Sequence, residues 1–290
     1  MNNVIITRSR RLNIPSTPRT GLPAALSWIA MAVVVVAFLA PLAWMIFASF
    51  DPSATFVTKL PRHASLGNYK AILTPEMSLK PLANSLFISI SVTIIVLICS
   101  VLVAYPISRY HSRFNKPFMV VILFGTCLPI TAIMVPVYAL FVSLNLLDNT
   151  FGLILFMSAT GLPMAVWLTK SYMDGVPVEI EEAAWVDGAS LLKTIWSVVV
   201  PLMRPGLCVV AIFVFMGSWG DFFTPYILLL DPNKLPASVA IFNFFGQHGS
   251  IIYGQLAAFA VLYSLPPVIM YAISSHFVGG TYSMAGGVKG

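Results

Sequence analysis

The sequence predicts an all-α membrane protein with six transmembrane helices, and three observations carry that prediction. Of its 290 residues, 58% are hydrophobic and only 9% are charged, far below the roughly 25% charged residues of soluble domains. The charges also avoid long stretches: no Asp, Glu, Lys or Arg occurs in the 30 residues from Gly21 to Phe50, the 28 from Pro81 to Ser108 or the 31 from Pro117 to Leu147. A helix needs about 20 apolar residues to cross the hydrocarbon core, so each run has length to spare. Third, the runs lack the ~10-residue alternating segments of a membrane barrel, and backbone amides in hydrocarbon then find partners only within a helix. A soluble domain, a disordered chain and a disulfide scaffold are excluded.

The elements follow in order. An N-terminal tail (1–24) carries Arg8, Arg10, Arg11 and Arg19, and the first span (25–50) follows it. A cleaved signal has an apolar region of about 7–15 residues; this run is about twice that, and its small-residue triplet Ala30-Met31-Ala32 sits mid-run, so the helix is expected to be retained. An outer loop (51–82) leads to spans at about 83–107, 118–141 and 151–171. A connector at 175–204 precedes the last two, at about 206–230 and 253–275, and a tail (276–290) closes the chain. Pro41, Pro129, Pro136, Pro163, Pro225, Pro266 and Pro267 predict kinks within the spans. With the N-terminus inside, the inner segments hold eleven Lys and Arg and the outer loops five, which puts both termini in the cytoplasm. The net charge of +6 follows from these flanking patches and gives no reason to expect a nucleic-acid partner. Arg109, Arg113 and Lys116 are expected to anchor the inner interface, with contact to another subunit or to anionic membrane lipid as the alternative. The two halves of the chain show no matching interruptions, so a symmetric pathway would need a second subunit.

The connector at 175–204 is unlike the other loops. It is acidic, with Asp187 and, near the start of a helix after Pro177, Glu179, Glu181 and Glu182, where the helix dipole favours anions. Ile180, Ala183, Ala184 and Asp187 share one face. Gly188 breaks the helix, Ser190 can cap a second one, and Leu191 to Val200 continues it to Pro201. Two short helices at an angle, with alanines that permit close approach, suit a docking knob; a solvated connector is the plainer alternative.

Here the chain resembles a family. Glu181-Glu182-Ala183-Ala184-x-x-Asp187-Gly188-Ala189-Ser190, with Pro201-Leu202 and Pro205-Gly206, is similar to the EAA-loop signature of binding-protein-dependent ABC importer permeases. Leu66-x-Asn68-Tyr69, Asn84-Ser85, Ala104-Tyr105-x-x-Ser108-Arg109, Pro136-x-Tyr138, Leu146-x-Asp148-Asn149-Thr150, Ser218-Trp219-x-Asp221-Phe222 and the terminal Val288-Lys289-Gly290 resemble the carbohydrate branch and its smaller permease subunit. Gly220 stands where that branch usually has Asn. The resemblance implies a type I ABC importer permease fold with cytoplasmic coupling helices, in a prokaryotic inner membrane. It implies a subunit of an ATP-driven sugar importer that forms half of the pathway. Its expected partners are a homologous second permease, an ATPase dimer, an extracytoplasmic sugar-binding protein and membrane lipid. Glu181, Glu182, Ala183, Ala184, Asp187 and Gly188 would form the ATPase contact, the two glutamates meeting Arg or Lys on that partner.

Other chemistry is sparse. Asp221 is the only acid inside an expected span; with Trp219 it either lines the sugar pathway or holds helix packing through a buried hydrogen bond, with Gly220 allowing a neighbouring helix close. There is no GxGD pair for an intramembrane protease and no Walker A stretch for P-loop binding of ATP; the resemblance implies that ATP and Mg belong to the partner, and this chain is expected to be neither an enzyme nor a holder of any cofactor. His63, His111, His248 and His276 show no metal-ligand spacing, and Cys99, Cys127 and Cys208 read as small buried hydrophobes. A secondary transporter or a non-transporting scaffold are the competing classes; the first would want more than one intramembrane acid, the second no acidic knob. Loop 231–253, with Gly246, Gly249 and Phe242, Phe244 and Phe245, suits an element reaching towards the binding protein.

Overall fold

The computed structural model describes residues 22–286 apart from 56, 58–62, 111 and 246–250. The tail arginines that set the expected orientation, the Gly246 to Gly249 segment and the terminal Val288-Lys289-Gly290 lie outside the described residues. Every regular element described is helical. Among the described residues four helices are long and apolar enough to cross a membrane, and two bent pairs bring the possible number to six.

The first, α1 (Leu22–Ser49), belongs for most of its length to a unit of its own, Met1–Trp44. The second unit starts at Met45. There α2 (Gly67–Ile72) and a π-helical turn at Pro75–Leu79 lead into α3 (Lys80–Arg109), a 30-residue helix. The expected span at 118–141 is not one helix. α4 (Asn115–Gly125) and α5 (Ile130–Ser143) meet at 89° across residues 126–129. Pro129, extended at ψ 126°, cannot donate into the ladder, so the proline makes a break where a kink was expected. α6 (Thr150–Met173) starts at Asn149, whose Oδ1 accepts from the amides of Phe151 and Gly152 at 2.9 and 3.3 Å.

The connector forms α7 (Val178–Val186) and then α8 (Leu191–Thr194), a π-helical turn at Ile195–Val199 and α9 (Val200–Leu202). That second arm meets α10 (Arg204–Gly220) at 85°. The expected span at 206–230 therefore stops at Gly220; Asp221 is extended, and α11 (Phe223–Leu228) follows as a separate element. α12 (Ala237–Ala240), a 3-10 turn at Ile241–Phe244 and α13 (Tyr253–Gly286) complete the order.

The core sits around α3, which packs along α6 and α10. Val92, Val96, Leu153, Met157 and Val210 fill that contact, while Val101, Ala104, Tyr105, Met173, Ile195 and Val199 form a second cluster where the connector joins α3. Side chains such as Phe87, Ile94, Phe151 and Leu155 face outward, more than 45% exposed, which a lipid-facing surface accommodates. One close approach fixes a glycine: a Cβ on Gly206 would lie 2.3 Å from Tyr172 Cγ, so the start of α10 can rest on α6 only without a side chain there.

Candidate functional site: the connector and its anchor

The bend between the two connector helices is built by local rules. α7 ends in a Schellman arrangement, with Ala189 N–H donating to Ala184 O at 2.9 Å and Gly188 N–H to Trp185 O at 3.0 Å. Gly188 takes φ +83°, a conformation in which a Cβ is unfavourable, and no atom lies within 4 Å of where that Cβ would be. Pro177 is the residue before the helix, one position earlier than its usual place in the first turn. Ser190 occupies the cap position of α8, but its hydroxyl makes no capping bond; its carbonyl accepts from Thr194 instead.

The six candidate residues divide into two groups. Glu182, Ala183, Asp187 and Gly188 are exposed and Ala184 is half-buried. Glu181 points the other way. Its side chain is fully buried, and both carboxylate oxygens are used: Oε1 accepts from Arg109 Nε at 2.7 Å and lies 2.6 Å from Arg109 Nη2, while Oε2 accepts from the Tyr105 hydroxyl at 2.9 Å. Arg109 Nη2 also donates to Val176 O at 3.1 Å. The expectation that Glu181 reaches a cation on another protein is therefore corrected: its cation is Arg109, at the end of α3. A buried carboxylate needs such a partner, because an unpaired charge in a low-dielectric interior is costly. The network continues through Ser108, whose hydroxyl donates to Asp174 Oδ1 at 2.6 Å, and Asp174 pairs with Lys170.

What α7 leaves uncovered is mostly apolar. Ile180 is 42% exposed, Trp185 41% and Val186 87%, and Leu191, Leu192 and Trp196 add to the same loop. The connector thus combines a root held by the Arg109–Glu181 pair with an uncovered apolar tip.

The second pair of candidates separates. Trp219 is 3% exposed and stacks with two rings, 5.6 Å from Phe215 and 5.2 Å from Tyr263. Its indole N–H donates to Tyr263 O and the Tyr263 hydroxyl donates back to Trp219 O, at 3.2 and 2.7 Å. Of the two expectations for Trp219, lining the pathway or holding packing, its contacts serve the second: it joins α10 to α13. Asp221 Oδ1 accepts from Thr224 N–H at 3.1 Å and its carbonyl accepts from Ser238 Oγ at 2.8 Å, so from the residue before the cap position Phe222 it serves the first turn of α11 in the manner of a cap. Among the described residues no atom lies within 4 Å of a Cβ position on Gly220 beside it. The rings left open at this break are Tyr226 and Phe242, each 54% exposed and both packed on Phe222.

Several paired motifs serve to join the chain. Asn84 Nδ2 donates to the carbonyls of Asn233 and Leu235, and Ser85 Oγ accepts from Ala237 N–H. Asp148 accepts from the amides of Leu230 and Asp231 at 2.9 and 3.0 Å and from Lys234 Nζ at 2.6 Å, which lowers its pKa to about 2, the Lys234 bond being the largest cause. Among the described residues no group of three or more His, Cys, Asp or Glu could hold a metal ion.

Residues 97–280, which include the whole connector, match the family of binding-protein-dependent transport system inner membrane components. The chain belongs to that family. Among the inner membrane components similar to it is the galactooligosaccharides transport system permease protein GanQ of Bacillus subtilis (strain 168), 30% identical over 270 residues, 91% of this chain and 95% of that one. The maltodextrin transport system permease protein MdxG of the same organism is 32% identical over 239 residues, 82% of this chain and 85% of that one. A chain from the crystal structure of a bacterial ABC transporter involved in the import of the acidic polysaccharide alginate superposes with a TM-score of 0.77 at 23% identity, covering 90% of this chain and 99% of that one. The fold is thus that of an ABC importer inner membrane component, all helical as expected.

Proposed function

We propose that this chain is the permease subunit of an ATP-driven sugar importer and that its connector docks on a cytosolic ATPase. The relatives named for galactooligosaccharides and maltodextrin support a carbohydrate as cargo. The observation that carries the coupling role is the division of labour within α7. Glu181 is clamped to the membrane helix α3 through Arg109, while Val186, Trp185 and Gly188 are left for a partner. A lever needs this construction: a tip that fits another surface and a stiff root that moves what lies behind it. Glu182, exposed on the same helix, is the carboxylate available to a cation on the ATPase. A homologous second permease completes the pathway and an extracytoplasmic binding protein delivers the sugar. The termini and the connector then face the cytoplasm, and ATP and Mg stay on the ATPase. Tyr226 and Phe242, whose rings are open beside Asp221, offer apolar faces to a sugar.

The test is uptake of radiolabelled maltodextrin or galactooligosaccharide into proteoliposomes holding the complete complex. Uptake that needs internal ATP and persists after the proton gradient is collapsed is the expected result. Uptake driven by the gradient without ATP would make the chain a secondary transporter instead.

A further inference from the structure

We propose that the cavity between the end of α3, the start of α4 and the end of α6 is a binding site for one anionic diacyl phospholipid. The cavity has a volume of about 960 Å³ and its lining divides by chemistry. One part is cationic and polar, with Arg113 and Lys116 at the turn into α4; the other is apolar, with Met119, Val120 and Trp167. This is the pattern of a phospholipid, a charged phosphodiester joined to hydrocarbon. A soluble phosphate would use the first part alone.

The charge balance points the same way. The lining holds four bases and one acid. Arg109 is neutralised by Glu181, and Lys170 by Asp174, the acid of the lining. Arg113 and Lys116 have no carboxylate within ion-pair distance among the described residues; the Arg113 guanidinium lies over the Phe114 ring, 5.0 Å from its centre. Two cations therefore remain for a ligand, one of them able to bind a phosphodiester through two parallel N–H groups. Their placement is fixed: Asn115 Nδ2 donates to Ile107 O and Tyr110 O at 3.1 and 2.6 Å, which ties the turn back onto α3.

The location fits as well. α3 and α6 are both of membrane-crossing length and composition, and the cavity lies where they end, at Arg109 and Met173. Trp167 is 42% exposed within α6, one turn before Lys170, the position where an indole settles at the edge of a bilayer. The phosphodiester then sits against Arg113 and Lys116, and the acyl chains leave along Met119, Val120 and Trp167. A zwitterionic head would bring its own ammonium against the two cations, so the site selects net negative charge.

The experiment uses the full-length chain purified in mild detergent, stripped of lipid and titrated with dioleoylphosphatidylglycerol, dioleoylphosphatidylcholine or soluble glycerol 3-phosphate. Bound molecules are counted by native mass spectrometry. One phosphatidylglycerol is expected to be retained about tenfold more tightly than phosphatidylcholine, and Arg113→Gln/Lys116→Gln should remove that preference. Met119→Trp, which fills the apolar part and keeps both cations, should also weaken retention, and it decides the matter should the double variant misfold. Equal retention of the two lipids, or an unaltered preference in the variants, overturns the proposal. Glycerol 3-phosphate binding as well as phosphatidylglycerol would make this a soluble-anion site and overturn it too. None of these readouts involves ATP or transport, so they stand apart from the coupling role.

Discussion

Arg109 lies 2.6 Å from Glu181, with 7% and 0% of their side chains exposed, and this ion pair joins the membrane helix α3 to the connector helix α7. It is closed by Tyr105 on the second carboxylate oxygen and by Val176 O on the guanidinium, so no charge is left without a partner. Removing one member strands the other in a dry site, which costs about 3–5 kcal/mol, while replacing both with apolar groups removes the attraction and the desolvation together. Glu181→Gln and Arg109→Met should each lower the melting temperature of the purified chain markedly. The double variant Arg109→Met/Glu181→Leu should recover much of that loss. Its ATPase activity in the assembled complex should stay high while uptake per ATP falls, because the lever has lost its stiff root. Single variants that melt like the wild type would show that the pair contributes nothing.

Gly188 offers a separation of conformation from contact. Its φ of +83° is unfavourable for a residue with a Cβ by roughly 1–2 kcal/mol, yet the space around that Cβ is open. Asn visits this region readily and β-branched Val does not. Gly188→Asn is expected to keep uptake near normal, and Gly188→Val to reach the membrane in normal amounts but lose most uptake while ATP hydrolysis continues. Wild-type uptake in both would leave the loop a mere connector.

The connector was legible in the sequence because its signals are local. Pro177 and Gly188 act within a turn of where they stand, and the helix ends fall beside them, while Ser190 marks the start of α8 by position although its hydroxyl makes no capping bond. The burial of Glu181 was not legible, since its partner is 72 residues away and nothing nearby marks one glutamate of Glu181-Glu182 as inward. The choice between the two roles of Trp219 was not legible for the same reason: its partner ring, Tyr263, lies 44 residues on. The break at Asp221 had a visible signal, an Asp three residues before an amide donor and followed by Pro225, but an apolar setting made one continuous span the more economical reading. The size of the bend at 126–129 follows from how α4 and α5 each pack, which hydrophobicity does not encode.

Asp148 joins the loop before α6 to the segment after α11, and its pH response has a definite sign. Its pKa is lowered to about 2, chiefly by the Lys234 bond, so its contribution is complete above the ordinary carboxylate range and fades only as pH falls through about 2. Between pH 8 and 5 the melting temperature should show no dependence on this residue's titration. Lys234→Met removes a pair that is 38% and 29% exposed, so its effect should stay near 0.2–1 kcal/mol. Asp148→Ala also removes the bonds from the amides of Leu230 and Asp231, which are exposed and part-buried, at about 0.5–1.5 kcal/mol each. An Asp148→Ala variant no less stable than Lys234→Met would mean that those amide bonds carry no weight.

Asp221 tests whether a carboxylate within an apolar stretch is there for its charge or for its shape. Its Oδ1 serves the first turn of α11 through Thr224 N–H at 3.1 Å, a task that an amide oxygen performs as well as a carboxylate. Its carbonyl holds Ser238 whatever side chain is present. Asp221→Asn should therefore melt like the wild type and support wild-type uptake. Asp221→Ala should lose about 1 kcal/mol, the usual cost of an absent cap, with transport per assembled complex still near normal. Measuring melting and uptake on the same preparations separates the roles, because a cap affects the first and a sugar ligand the second. An Asn variant of normal stability that no longer transports would place the carboxylate in the sugar's path and defeat the capping account.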